Sequence, residues 1–348
     1  MSYASLKTRK QSSAFRLAIL IALSAACSLG MVGNSFAEEN SVSLSKQFGL
    51  AFLPLVVMQD KGLVEKAAAK NGLPDVKVTW ATLGGGASAN DALLSGSVDF
   101  VSGGAGPLIK LWSATKGNSD VKGVASISAM PFTLTTVDPR VKTIADFTDR
   151  DRIALPAAKV SMQAITLQMA AAKLFGKDRY DQLDKWTVSM RNPDALIAML
   201  SGHSGITAHF SGPPFPSQEL QDPRVHEVLN SYDVLGGPGM LVSLYTTEKY
   251  RAQHPRMYKA VLEALNESDR IINADKRAAA ESYIRVTHSK LSVDFIYKII
   301  ADPRVEFSAV PRNVMKYADF MYETHTIKHH PASWKDIFFP EIHDLPGS

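Results

Sequence analysis

Two glycine-rich segments, Leu83-Gly84-Gly85-Gly86-Ala87-Ser88 and Ser102-Gly103-Gly104-Ala105-Gly106, each separate a strand-like stretch from a helix-like one. Glycine lets backbone amides approach a ligand closely. Free N–H groups at a helix start favour an anion such as a carboxylate or sulfonate. Ser88 can cap its helix or donate its hydroxyl, and Ser102 stands at the mouth of the second loop. A third segment, Ala157-Ala158-Lys159-Val160-Ser161, offers Ser161 as an N-cap and Lys159 as a neutralising charge. His209 ends a strand just before Pro213-Pro214, where it acts as a structural hydrogen-bonder or as a ligand contact. Phe52 and Phe210 are candidate walls, and Arg191 is a candidate anion clamp. The expected ligand-binding set is Phe52, Gly85, Gly86, Ser88, Ser102, Gly103, Gly104, Ser161 and His209.

Other chemistries fit less well. Gly84-x-Gly86-x-x-Ala89 has the outline of a dinucleotide fingerprint, but the next strand follows too soon, without an acidic residue at its end. His325 and His329 have the i,i+4 spacing of a metal pair on one helical face. No carboxylate completes that set, and Pro331 ends any helix there. There is no G-x-S-x-G elbow and no H-E-x-x-H, and Gly202-His203-Ser204-Gly205 has the wrong spacing for an elbow. No catalytic residue, cofactor or metal is expected. The formal charge of +4 resides in Lys7, Arg9, Lys10 and Arg16, leaving 34 basic against 34 acidic residues beyond position 37. Without a basic face the chain is not expected to bind nucleic acid.

A basic stretch to Arg16, an apolar run over 17–33 and Ser35-Phe36-Ala37 describe a secretory signal peptide (1–37) cleaved near Ala37, hence an exported protein. Cys27, the only cysteine, falls within it. Its upstream Leu23 is one position too far away for a good lipoprotein box, so lipidation fits less well than ordinary cleavage.

The loops need elements to position them. Strand signals at 41–48, 76–82, 98–101, 121–128, 152–155, 186–190 and 206–210 alternate with helix signals at 54–71, 87–95, 107–116, 161–175 and from Asn192. Asn192-Pro193-Asp194 reads as N-cap, N1 proline and acidic first turn. Such alternation predicts an α/β protein with mainly parallel sheets covered by helices. Residues 247–322 read as mostly helical. Leu-Ser-Gly, a brief strand and Ser-Gly occur twice, at 94–103 and 200–212, which suggests two similar lobes.

Several motifs in order resemble the periplasmic substrate-binding proteins of ABC importers, in the nitrate/sulfonate/taurine group that also includes pyrimidine-precursor binders. They are Leu53-Pro54-Leu55 with Asp60-Lys61-Gly62-Leu63, Ala92-Leu93 with Gly96-Ser97-Val98-Asp99-Phe100, and the stretch from Asp146 to Pro156. Two departures from that pattern are Thr207 in place of an aspartate and Thr148-Asp149 in place of Lys-Gly. The resemblance implies a two-lobed type II binding-protein fold with a hinge. Lobe 1 is then expected from 41–137 plus 244–348, and lobe 2 from 138–243. It further implies a monomeric receptor that takes a small, anionic organic molecule in its cleft and passes it to an inner-membrane ABC permease. An enzyme using the same cleft, or a sensory binding protein, is the alternative. Met130, Met162, Met190, Met240 and Phe52 suggest a ligand with an apolar body.

Overall fold

The computed structural model describes residues 40–348, so the expected signal peptide and Cys27 lie outside the described residues. The chain begins with β1 (Ser41–Lys46), α1 (Leu53–Lys61) and α2 (Leu63–Lys70), followed by β2 (Lys77–Thr82) and α3 (Gly86–Leu94). Next come β3 (Val101–Gly103), α4 (Ala105–Thr115) and β4 (Val121–Ala129). Gly62 breaks the first helical stretch as its sequence suggests. With φ 59° and ψ 44° it caps α1 in the left-handed region, which a side chain would disfavour.

The chain then crosses to a second group: β5 (Thr133–Thr136), β6 (Ile153–Leu155), α5 (Met162–Phe175), β7 (Thr187–Ser189) and α6 (Asn192–Ser201). That group continues with β8 (Ala208–Ser211), α7 (Phe215–Glu219), β9 (His226–Asn230) and α8 (Ser231–Leu235). β10 (Met240–Thr247) returns to the first group. After it come α9 (Glu248–Gln253), α10 (Pro255–Ala274), α11 (Lys276–Thr287), α12 (Val293–Ile300), α13 (Val314–Glu323) and α14 (Trp334–Ile337).

A parallel bridge between Leu44 and Phe100 joins β1–β2 to β3–β10–β4, giving the first sheet the order β2-β1-β3-β10-β4. The second sheet runs β7-β6-β8-β5-β9. In each sheet the fourth strand alone runs antiparallel to its neighbours. The two reversed strands are exchanged: β5 comes directly from the end of β4, and β10 follows the completed second sheet.

The equivalence extends to single hydrogen bonds. Asp99 N and Phe100 N donate to Ser43 O at 3.1 and 3.0 Å; Thr207 N and Ala208 N donate to Arg152 O at 3.0 and 3.1 Å. Ser43 N donates to Asp99 Oδ2 at 2.8 Å, and Arg152 N donates to Thr207 Oγ1 at 3.2 Å. Threonine at 207 therefore supplies the acceptor that aspartate supplies at 99. The departure from the family pattern leaves the strand pairing intact.

Helix α10 packs against α1 and α2. Its buried residues Met257, Tyr258, Val261, Ala264, Leu265 and Ile272 recur at three- and four-residue spacing, the stripe expected of a core-facing helix. Asp269 lies on the same buried face, its Oδ1 without a hydrogen-bond partner, and burial pushes its carboxyl up to about 8. The C-terminal segment closes the first sheet. Phe338 and Phe339 are fully buried, and Phe338 lies where a side chain at Gly123 of β4 would stand. Trp112 Nε1 donates to Asp336 O at 2.8 Å.

Candidate functional site

Six strands, β1, β2 and β3 of the first sheet and β6, β7 and β8 of the second, each lead at their carboxyl ends into a helix. All six connecting segments meet at one cavity of about 50 Å³. The β1–α1 loop contributes Gln47, Phe48, Gly49, Ala51 and Phe52; the next two loops contribute Gly86, and Gly104 with Pro107. The second sheet contributes Pro156, Ser161, Met162 and Gln163, then Asn192, then Gly212 and Pro213; Leu241 and Val242 of β10 complete the wall. Ligand sites in parallel α/β sheets lie beyond the carboxyl ends of strands, where helix N-termini present free N–H groups.

The two halves touch directly around this cavity. Leu50 N donates to Pro213 O at 2.8 Å, and Gly49 holds φ 122° where a Cβ would stand 3.0 Å from that oxygen. Gly106 N donates to Met162 Sδ at 3.2 Å. A Cβ on Gly104 would lie 2.0 Å from Met162 Cγ, and one on Gly106 would lie 2.3 Å from Ile165 Cδ1. These glycines let the first turn of α4 rest on the first turn of α5. Arg191 also spans the halves. Its guanidinium lies 5.8 Å from the Phe48 ring centroid, and its Nε bonds Asp194 Oδ2 at 2.7 Å.

No charged side chain lines the cavity; its polar side chains are Gln47, Ser161, Gln163 and Asn192. Gln47 Nε2 donates to Ser102 O at 2.7 Å, which leaves its carbonyl oxygen uncommitted. Ser161 is the N-cap of α5, its Oγ accepting from Ala164 N at 3.2 Å. Asn192 is the first helical residue of α6, with Arg191 in the N-cap position and no side-chain cap. That shift of one residue from the expected cap releases the Asn192 amide. It meets His209 Nε2 at 3.2 Å instead. Lys46, one residue before Gln47, is buried and donates Nζ to Gln59 Oε1 at 2.7 Å; burial lowers its pKa.

Of the sequence-predicted residues, Phe52, Gly86, Gly104 and Ser161 line the cavity. Gly85 stands beside it, where a Cβ would lie 3.2 Å from Pro156 O of the other half. Four others are occupied elsewhere. Ser88 is exposed, and its Oγ bonds both N and O of Gly85, closing the first turn of α3. Ser102 is buried and donates to Ser45 O at 2.8 Å, tying β3 to β1. Gly103 makes room for the Tyr245 hydroxyl, which donates to Asn90 Oδ1 at 2.7 Å. His209 is fully buried with Nδ1 2.5 Å from Glu219 Oε1, so it is not on the cavity wall.

Among the described residues no group of His, Cys, Asp and Glu could hold a metal. α13 ends at Glu323, so His325 and His329 share no helical face; His330 bonds Asp319 Oδ1 at 2.8 Å. Of the methionines expected to favour an apolar ligand, only Met162 lines the cavity, while Met130 and Met240 are fully buried in the core. Gln47 and Gln163 were not singled out by sequence, and Asn192 was read only as a helix cap. Their positions directly after a strand or at a helix start are the signal that would have found them.

This architecture is the periplasmic-binding-protein fold: two α/β sheets with exchanged strands and a cavity of about 50 Å³ between their βα loops. No family model and no curated protein matches the sequence. The chain is similar to the alkanesulfonate-binding protein SsuA from Xanthomonas axonopodis pv. citri bound to MOPS, with 20% identity and a TM-score of 0.66. That match covers 84% of this chain and 96% of the other. The periplasmic aliphatic sulphonate binding protein SsuA from Escherichia coli gives 18% identity, a TM-score of 0.63, and coverage of 86% and 97%. The periplasmic nitrate-binding protein NrtA from Synechocystis PCC 6803 gives 15% identity, a TM-score of 0.64, and coverage of 85% and 84%.

Proposed function

We propose that the protein is an exported solute-binding receptor that captures a small anion, a sulfonate, carboxylate or related oxyanion, and delivers it to an ABC importer permease. The observation that carries this reading is the convergence of six βα loops, three from each sheet, on one cavity whose wall is apolar but for the neutral side chains of Gln47, Ser161, Gln163 and Asn192. Helix starts aimed at a common point favour negative charge without needing a cationic side chain. At about 50 Å³ the space holds a few waters or one compact oxyanion group. A ligand with a larger apolar body requires the two halves to part.

In this reading the sheets are the cores of two lobes, one from about 40–130 plus 240–348 and the other from about 133–238, and the two strand exchanges form the hinge. Ligand bound at the meeting of the lobes holds them together, and that closed form is what the permease engages. The receptor works in the periplasm as a monomer, after removal of residues 1–37, and is not an enzyme. Its likeness to three binding proteins for sulfonates and nitrate supports this choice of ligand class.

The test is thermal melting of the exported form, starting at Glu38, against sulfonates including MOPS, short carboxylates, nitrate and pyrimidines. A ligand at a hundredfold over Kd adds about 2.7 kcal/mol, a shift of roughly 2–4 °C for a chain of this size. A saturable shift confined to oxyanions is expected. A response to neutral pyrimidines alone would refute the anion assignment, and a flat panel would refute the receptor reading.

A further inference from the structure

Behind the cavity wall runs a buried polar chain. Thr135 Oγ1 donates to Glu219 Oε2 at 2.6 Å. Glu219 Oε1 lies 2.5 Å from His209 Nδ1, and His209 Nε2 lies 3.2 Å from Asn192 Oδ1. Glu219 and His209 are both fully buried, and Asn192 lines the cavity. We infer that the His209–Glu219 pair is a positioning device: it holds the Asn192 amide with its NH2 toward the cavity, making Asn192 a specificity determinant for groups that only accept hydrogen bonds. The ligand class rests on the receptor reading above; the orientation of the amide does not.

A fully buried pair favours zero net charge. A neutral pair exists either as imidazolium with carboxylate or as imidazole with carboxylic acid, the shared proton lying on one side or the other of the 2.5 Å contact. In both forms Nε2 carries a hydrogen. An N–H can be met only by the oxygen of Asn192, so the two N–H bonds of its amide point away from His209. Asn192 Nδ2 has no protein partner among the described residues.

Only when the pair loses a proton does Nε2 become an acceptor. The Asn192 amide then turns and presents its oxygen to the cavity. Glu219 is the titratable group in contact with His209. Thr135 on β5, Ala154 on β6, Phe215 on α7 and Asn192 on α6 supply its uncharged surroundings, and the Arg191–Asp194 pair marks the exposed end of α6.

Two measurements test this on the same protein. In the absence of ligand, 15N NMR of His209 should show a protonated Nε2 at pH 7; an unprotonated Nε2 there overturns the inference. With MOPS as probe, calorimetry at pH 7 compares the affinity of the wild type with that of its variants; one hydrogen bond to a charged group is worth about ten- to hundredfold.

Glu219→Gln should retain the protonated Nε2 in the NMR spectrum: Thr135 binds the amide oxygen of the glutamine, so the glutamine NH2 faces Nδ1 and the hydrogen stays on Nε2. Asn192→Asp keeps an acceptor for Nε2–H but replaces the donor with a carboxylate, and should lose more than tenfold at pH 7 with an unchanged melting temperature. A purely structural role for His209 moves the melting temperature but requires no hydrogen on Nε2. If the wild type binds MOPS and Asn192→Asp does not alter that binding, the inference is wrong. If the wild type binds no oxyanion, the receptor reading is wrong, and the NMR result decides the orientation by itself.

Discussion

Gly104→Ala separates the contact between the halves from the stability of either one. The added Cβ would lie 2.0 Å from Met162 Cγ and 3.1 Å from Met162 Cβ, where carbons prefer about 3.5–4.0 Å. The clash lies at the root of the Met162 side chain, so a swing of its tip does not relieve it. Turning Met162 about its first torsion breaks the contact from Gly106 N to Sδ. The other relief is to move α5 away from α4, which opens the cavity. Overpacking of this kind costs about 1–3 kcal/mol. If that cost falls on closure, affinity drops roughly 5- to 150-fold. Gly86→Ala is the control. Its Cβ would stand 2.4 Å from Pro107 Cγ within the same half, so it should lower the melting temperature first. Calorimetry with an oxyanion ligand beside thermal melting of the free protein reads both effects. Unchanged affinity in Gly104→Ala would show that the α4–α5 contact is not part of the binding-competent state.

Three further outcomes follow from the packing. Asp269→Asn should stabilise the fold on the order of 2–4 kcal/mol at pH 7 and less at pH 5. The folded carboxyl titrates at about 8 against a reference of 3.8, so its contribution is fully present below about pH 4 and lost as pH rises toward 8. Denaturant melts at the two pH values give the comparison, and an equal effect at both would contradict the buried, neutral acid. Phe338→Ala should cost about 3–5 kcal/mol, the penalty for emptying a buried aromatic site, in the same melts. Arg191→Ala removes a half-exposed contact with Phe48 and should weaken ligand binding only about two- to fivefold, with smaller effect at high salt; a larger, salt-independent loss would place Arg191 in contact with ligand.

The sequence carried the elements that repeat a local signal. β1, β2, α5 and the Gly62 break were legible because alternation, capping and a left-handed glycine are properties of neighbouring residues. β5, β9 and β10 were not. Met240–Thr247 is buried along nearly its whole length, so it shows no alternation, and its place between β3 and β4 depends on partners more than a hundred residues away. The brief strand expected at 98–101 lies slightly later, at Val101–Gly103, because Asp99 and Phe100 spend their amides on Ser43 O. The site was legible at the level of loops but not of side chains. Ser88 closes the first turn of its own helix, Ser102 ties β3 to β1, and His209 meets Glu219, ten residues on, across a turn that composition does not reveal. Asn192 could be seen as a helix start. Its release from capping could not.

The exchange of β5 and β10 also dictates the order in which the molecule can be finished. An interior strand of the first sheet is supplied by residues 240–247, after the entire second sheet has been specified, and the same sheet is sealed only when Phe338 and Phe339 arrive. A chain emerging from its N-terminus can complete the second sheet first, while β1 to β4 wait beside an open slot. Long-range pairing of this kind folds slowly. For the exported receptor proposed here that delay is an asset, since a chain that cannot lock early stays threadable until it has crossed.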